Sequence, residues 1–210
     1  MSFRKEEFDT ARSKSTTERI ENAEKCIKWA DEYAYLVTEF ADIVQNPAIP
    51  KRLLHHDTKI NNVLFKKDTT EVLAVCDLDT LMPGIVISDV GDMVRTYCCS
   101  ETEENTDFDE LHIVNSLYIA IYDGYLSKMA SVLTKEECKI LYYAGPFLFY
   151  MQGLRFLTDY LNGNVYYPVK YEKHNLDRAT NQLLLLRQLV ENKEMYTIQI
   201  EELTKKWLST

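Results

Sequence analysis

The sequence predicts an α+β chain that is mostly α, with a few short strands gathered in one stretch. Two observations carry this reading. Apolar residues recur at three- and four-residue spacings through most of the chain, as amphipathic helices require. Short apolar runs bounded by turn residues cluster between Arg52 and Asp92 instead. The 210 residues are 46% apolar and 27% charged, which suits one domain with a substantial core.

Residues 1–15 are polar and are expected to be flexible. From Thr16 or Thr17 a long helical pattern runs through Ile20, Ala23, Ile27, Ala30, Leu36, Phe40 and Val44. Ser15 or Thr16 can cap it, and Glu18 in its first turn favours the helix dipole. Gln45-Asn46-Pro47 ends the pattern, and Pro50 imposes an extended approach to a strand at Arg52–Leu54. The polar loop His55–Asn62 leads to a strand Val63–Phe65, a charged turn and a strand Glu71–Cys76. Thr80–Gly84 reads as a turn by composition. Ser88 or Asp89 can then cap a helix through Met93, Val94 and Tyr97. Ser100–Asp109 is acidic and reads as a solvated connection.

The remainder is helical. One helix is expected over about Glu110–Ser131, and Thr134-Lys135-Glu136-Glu137 has the form of a capping box that opens another. Gly145-Pro146 breaks or kinks that helix before the very apolar segment Phe147–Leu161, which Gly163 closes as a C-cap. Asn175 caps a further helix to about Asn192, and Met195–Leu208 makes the last.

Composition narrows the partners. A net charge of −9 argues against nucleic acid or an anionic membrane, both of which need a basic footprint. It leaves a phosphate substrate open, since metal ions bridge carboxylates to phosphates. Five cysteines with no C-x-x-C pair read as reduced thiols of a cytoplasmic protein. No apolar leader stands at the N-terminus, and no run approaches the roughly 18 apolar residues of a membrane span.

Chemistry concentrates at the strand ends. Asp57 follows an apolar strand, with His55 two residues before it, Lys59 two after and Asn62 five after. A carboxylate held there can orient a hydroxyl and accept its proton as a bond to phosphorus forms. Lys59 can set its ammonium on phosphoryl oxygens. Asn62 offers a neutral oxygen and Asp77, at the end of the next strand, a charged one, which is what Mg2+ needs from protein when nucleotide phosphates supply the rest. A metal phosphohydrolase built on His56-Asp57 would need a histidine upstream, and all four histidines stand at position 55 or later.

His55-x-Asp57-x-Lys59-x-x-Asn62 resembles the kinase catalytic loop H-R-D-x-x-x-x-N, with His56 where that pattern has arginine. The next strand ends in Asp77-Leu78-Asp79, where a kinase has Asp-Phe-Gly. This form resembles the aminoglycoside/choline phosphotransferase branch of the kinase-like fold. Within it, HHDTKINNVLF, CDLDTLMPG, SDVGDMVR and RFLTDYLNGNVYY are similar to N-acetylhexosamine 1-kinases. The resemblance implies a protein-kinase-like C-terminal lobe, ATP and Mg2+, and a sugar phosphorylated at its anomeric hydroxyl. It implies Asp57 as catalytic base, Asn62 and Asp77 as metal ligands, and Asp79 as a further carboxylate near metal or substrate. Asp89 would brace the catalytic loop, a role open beside that of helix cap, and His55 would be its backbone-bonded scaffold. Arg155 and Tyr166 would contact the sugar, although Arg155 also has Asp159 four residues on for an ordinary ion pair.

The six glycines are too scattered for a G-x-G-x-x-G loop, and no strand-rich segment precedes the first long helix. Residues 1–210 are therefore expected to form one catalytic and substrate lobe, with a nucleotide-binding lobe absent or supplied in trans and little or no turnover by the chain alone. Two other readings stay open: a non-catalytic sugar-binding or regulatory fragment, and a kinase for another small alcohol such as an aminoglycoside or choline.

Overall fold

The structure, a computed structural model, describes residues 1–209. It is mostly helical. In chain order come α1 (Ser2–Lys14), α2 (Thr17–Asn22), α3 (Glu24–Glu32) and α4 (Tyr35–Gln45). The strands β1 (Arg52–Leu54), β2 (Val63–Phe65), β3 (Val72–Val75) and β4 (Met82–Gly84) follow. Then come α5 (Ile87–Tyr97), α6 (Asn115–Met129), α7 (Lys135–Lys139), α8 (Ala144–Leu161), α9 (His174–Glu191) and α10 (Lys193–Leu208).

Helix α8 is the axis of the core. Its apolar run is buried on nearly every side, as a helix without a polar face must be. Helices α1, α3, α4, α5 and α9 pack against it. Helix α5 approaches closely: a Cβ on Gly91 would lie 2.2 Å from the Ala144 carbonyl oxygen, so only glycine admits this approach. Several tyrosines fill the core with their rings and spend their hydroxyls on backbone carbonyls. Tyr143 donates to Leu36 O at 2.6 Å and Tyr150 to Ala30 O at 2.8 Å, so these two buried phenols are satisfied where they lie.

Four expectations change at the N-terminal end and at the helix caps. Residues 2–14 form a helix rather than a flexible segment, because Phe8 and Ala11 give it an apolar side that packs on α8. The long pattern from Thr16 is three helices, turned at Ala23 and Tyr33, which are themselves buried. Thr16 does cap the first of them, accepting from the Arg19 amide. Neither Ser88 nor Asp89 caps α5, which starts at Ile87. Asn175 lies inside α9, and its side chain is drawn to the carboxylate of Asp159 instead.

The strands form two antiparallel pairs. In one, Arg52 faces Gly84 and Leu54 faces Met82; in the other, Val63 faces Val75. Residues 82–84, expected as a turn, are thus the partner of β1. Pro83 is tolerated because a two-stranded sheet is all edge. The capping box at Thr134 and Glu137 forms with both of its bonds, and Glu137, fully buried, also binds Arg52 at 2.6 and 2.7 Å. That pair ties β1 to α7. Helix α8 ends at Leu161, with Asn162 as its C-cap and Gly163 following at φ 92°. No helix among the described residues is long and apolar enough to cross a membrane, and all five cysteines are free.

Candidate active site

The loop between β1 and β2 is held from beneath by α5. The Asp89 carboxylate accepts the amide of His55 at 3.0 Å and that of His56 at 2.7 Å. These two bonds hold His56 in the left-handed region, φ 65°, which a non-glycine residue adopts only when its surroundings require it. Thr58 donates its hydroxyl to Asp89 O at 2.8 Å, and the Tyr97 hydroxyl donates to Thr58 O. His55 is buried; its Nε2 donates to Cys76 O at 2.9 Å while Nδ1 accepts the Asp57 amide at 3.3 Å. The ring links the two strand ends that carry Asp57 and Asp77. His56 reaches sideways to Ser88 Oγ at 2.8 Å and Met82 O at 3.2 Å.

On this support the polar side chains converge. Lys59 Nζ lies 2.6 Å from Asp57 Oδ2, and Asn62 Nδ2 donates to the same oxygen at 2.8 Å and to Asp57 O at 2.8 Å. Both donors meet Oδ2, which leaves Oδ1 without a partner among the described residues. Burial raises the Asp57 carboxyl, but the bonds from Lys59 and Asn62 and the Lys59 charge outweigh it and hold the group below the usual carboxylate range. Lys59 is raised in turn, chiefly by its bond to Asp57. Asp77 stands at the end of β3 with φ 64°, half exposed, its Oδ2 3.9 Å from Lys59 Nζ. Asp79 lies in the short 3-10 turn Leu78–Thr80 and is exposed.

Two oxygens here suit a hard cation. Asn62 spends both N–H groups on Asp57, so its Oδ1 is left to accept, and the Asp77 carboxylate makes no closer contact than Lys59. No cluster of three or more His, Cys, Asp or Glu fit for a metal occurs among the described residues. A site of one amide and one carboxylate fits a magnesium ion that takes its other ligands from water and phosphate.

A family model described as APH, phosphotransferase enzyme family, matches residues 4–111, slightly more than half of the chain. The chain belongs to that phosphotransferase family. Its members are kinase-type enzymes, so phosphoryl transfer is the class of chemistry to which this loop belongs. The matched residues include Asp57, Lys59, Asn62, Asp77, Asp79 and Asp89; Arg155 and Tyr166 lie beyond them.

Arg155 and Tyr166 are brought together, but in a cavity of their own of about 210 Å³ that shares no lining residue with the one beside Lys59. Helix α1 contributes Arg4 and Glu7 to it. Arg155 bonds Gln152 at 3.0 Å and lies 5.4 Å from the centre of the Tyr167 ring. The ion pair with Asp159 does not form, because that buried carboxylate accepts the amides of Val165, Tyr166 and Tyr167, each at 2.9 Å. Asp159 shapes the loop that displays Tyr166, whose side chain is largely exposed.

Four residues near the loop escaped sequence reasoning. Asp92, on the α5 turn after Asp89, is buried, and Arg95 bonds its Oδ1 at 2.9 and 3.2 Å. Arg95 also reaches Glu103 at 3.0 Å. Glu104 takes Arg178 on Oε1, and His174 at 3.0 Å and Lys170 at 2.9 Å on Oε2. The acidic segment is exposed at Glu101, Asp107 and Asp109, as a solvated connection would be, but is tied down at Glu103 and Glu104. Glu103 is spent on Arg95 of α5, eight residues before it, and Glu104 on cations of α9 and the loop before α9, a pairing across more than 60 residues that no local spacing foretells.

Proposed function

We propose that this chain is the catalytic and acceptor-binding lobe of an ATP-dependent sugar kinase that phosphorylates the anomeric hydroxyl of an N-acetylhexosamine. The observation that carries the reading is the convergence of Lys59 and Asn62 on one oxygen of Asp57. It fixes the carboxylate and keeps it ionised, with Oδ1 free to accept the hydroxyl proton as the sugar oxygen bonds to the γ-phosphorus and the bond to ADP breaks. Lys59 offsets charge on the transferred group. Asn62 Oδ1 and Asp77 would hold magnesium, which supplies charge neutralisation at the nucleotide phosphates when bound. Asp79 stands near enough in sequence to assist either.

The sugar assignment draws on the motif blocks HHDTKINNVLF, CDLDTLMPG and RFLTDYLNGNVYY. In the same reading, a nucleotide-binding lobe, in the same polypeptide or in trans, rests on the apolar side chains that the strands and the adjoining turn expose, including Leu53, Val72, Leu73 and Leu78. Phosphorus NMR of the protein with ATP, magnesium and N-acetylglucosamine over long incubations tests the reaction. A slow anomeric phosphate signal, lost in Asp57→Asn, is expected. Phosphate appearing on choline or kanamycin, and on no sugar, would replace the acceptor class.

A further inference from the structure

Cys98 and Cys99 stand side by side where α5 ends, and they differ in access. Cys98 is fully buried, whereas Cys99 is partly exposed and lines an open cavity of about 290 Å³ beside Lys59. We infer that the two thiols are an oxidation site: a peroxide converts them to a disulfide between neighbours, and closing that ring slackens the tie between α5 and the catalytic loop.

The backbone is set for such a ring. Cys98 has φ −104° and ψ 9°, and Cys99 forms an antiparallel bridge with Ile113. Two extended residues would point their sulfurs to opposite faces. A near-helical residue followed by an extended one, the order of a type VIII turn, does not. The sulfurs are neighbours: a bond with Cys99, then burial, then the Cys99 charge push the Cys98 thiol up. Each thiol also donates to a carbonyl of the last turn of α5, Cys98 to Val94 O at 2.7 Å and Cys99 to Arg95 O at 3.1 Å.

The step balances with a peroxide as oxidant. Cys99, the sulfur that solvent reaches, attacks one peroxide oxygen as its thiolate. The O–O bond breaks, hydroxide leaves and takes up the proton that Cys99 gave, and Cys99 is left as the sulfenic acid. The Cys98 sulfur then attacks that of Cys99, the S–O bond breaks, and the hydroxyl leaves with the Cys98 proton as a second water. Two thiols are oxidised by two electrons, and one peroxide is reduced. With Cys99 neutral, its bond and its charge no longer oppose ionisation of Cys98. Adjacent Cα atoms lie about 3.8 Å apart, closer than the roughly 4.4 Å where disulfides usually begin, so the bond is strained and thiols reopen it readily.

Oxidation removes both thiol bonds from the last turn of α5. Residues beyond it are anchored, Cys98 O accepting the Val114 amide at 2.7 Å and His112 O the Ser100 amide at 2.9 Å. The twist of ring closure therefore falls on the helix side. There stands Tyr97, whose hydroxyl donates to Thr58 O, beside Asp57.

Trypsin releases residues 96–128 as one peptide that contains no cysteine other than these two. After brief exposure of the protein to hydrogen peroxide, this peptide is expected to weigh two hydrogens less, to resist iodoacetamide and to regain both hydrogens with dithiothreitol. Cys98→Ser should leave Cys99 as a sulfenic acid that dimedone captures; if that variant fails to fold, the wild-type peptide mass still decides. Hydrogen exchange at the His55 and His56 amides should quicken about fivefold in the oxidised protein, as the loss of one hydrogen bond allows. Tyr97→Phe should quicken the same amides in the reduced protein and make them indifferent to peroxide. Sulfinic acid on Cys99 in the wild type, a disulfide from Cys99 to any other cysteine, or first reaction at Cys76 or Cys138 would each overturn the pair. A ring that forms without change at the two amides would overturn the tie to the catalytic loop.

Discussion

Lys59 meets Asp57 at 2.6 Å through one carboxylate oxygen only. The pair is formed across a single intervening residue, and Asn62 joins it on the same oxygen. A symmetric, bidentate pair would have engaged both oxygens and left neither wholly open to an incoming hydroxyl. This arrangement keeps Asp57 charged and one oxygen open.

Replacing Asp57 by Asn should therefore lower phosphoryl transfer by about 10²- to 10⁴-fold, the usual range for a general base, with little change in the thermal unfolding midpoint. Kinetics and calorimetry on the same preparation check this. A variant that unfolds early, or that retains more than a tenth of the rate, would remove Asp57 from the role.

The pH profile follows from the same contact. Burial raises the Asp57 carboxyl, but the bonds from Lys59 and Asn62 outweigh it and keep the group below its ordinary value of 3.8. The base is then ionised through neutral and mildly acidic pH, and the acid limb of kcat/KM that it governs should lie below that value. Lys59→Met removes the stabilising charge, so the limb should move to higher pH, while Lys59→Arg should keep it low. An acid limb that stays in place in Lys59→Met would show that the pair does not set the ionisation.

Asp89 holds two amides of the catalytic loop, those of His55 and His56. Asp89→Ala leaves both without their acceptor, at a cost of about 1–3 kcal/mol. Hydrogen exchange at these two amides should quicken, and turnover should fall even where the chain stays folded. Unchanged exchange would mean that other contacts hold the loop.

Glu104 is held at about 2: burial raises it, and the bonds from Lys170 and Arg178, with the charges of Arg178 and His174, bring it down. A carboxyl lowered on folding adds stability above its unfolded value and loses it as pH falls through the folded one. In urea unfolding, wild type should exceed Glu104→Gln at pH 7. The gap should narrow as pH falls from its ordinary 4.5 towards 2. A gap that is constant with pH would point to packing rather than charge.

Helix α1 supplies a stability test. Phe8 is fully buried against the core, and Phe8→Ala should cost about 3–5 kcal/mol in the same urea measurement. A loss below about 1 kcal/mol would mean that α1 adds little to the fold.

The division between chain and fold is a matter of range. Local rules were enough for the T-x-x-E capping box, the end of α8 beside Gly163 (one residue past the C-cap Asn162), the apolar α8 and the spacing of Asp57, Lys59 and Asn62, because each involves residues within a helix end or a single loop. Other features needed the tertiary structure. Residues 2–14 become a helix only because α8 offers Phe8 a place to bury. Residues 82–84 become a strand only because β1 lies alongside. Asp89, open in the sequence between helix cap and loop brace, is the brace alone because the loop's amides approach it and α5 begins at Ile87. The ties that hold residues 103–105 include pairings of Glu104 with Lys170, His174 and Arg178, which join distant elements and leave no periodic trace. Contacts within a turn are written in residue spacing, whereas burial and long-range charge pairing exist only once α5, α8 and α9 have packed.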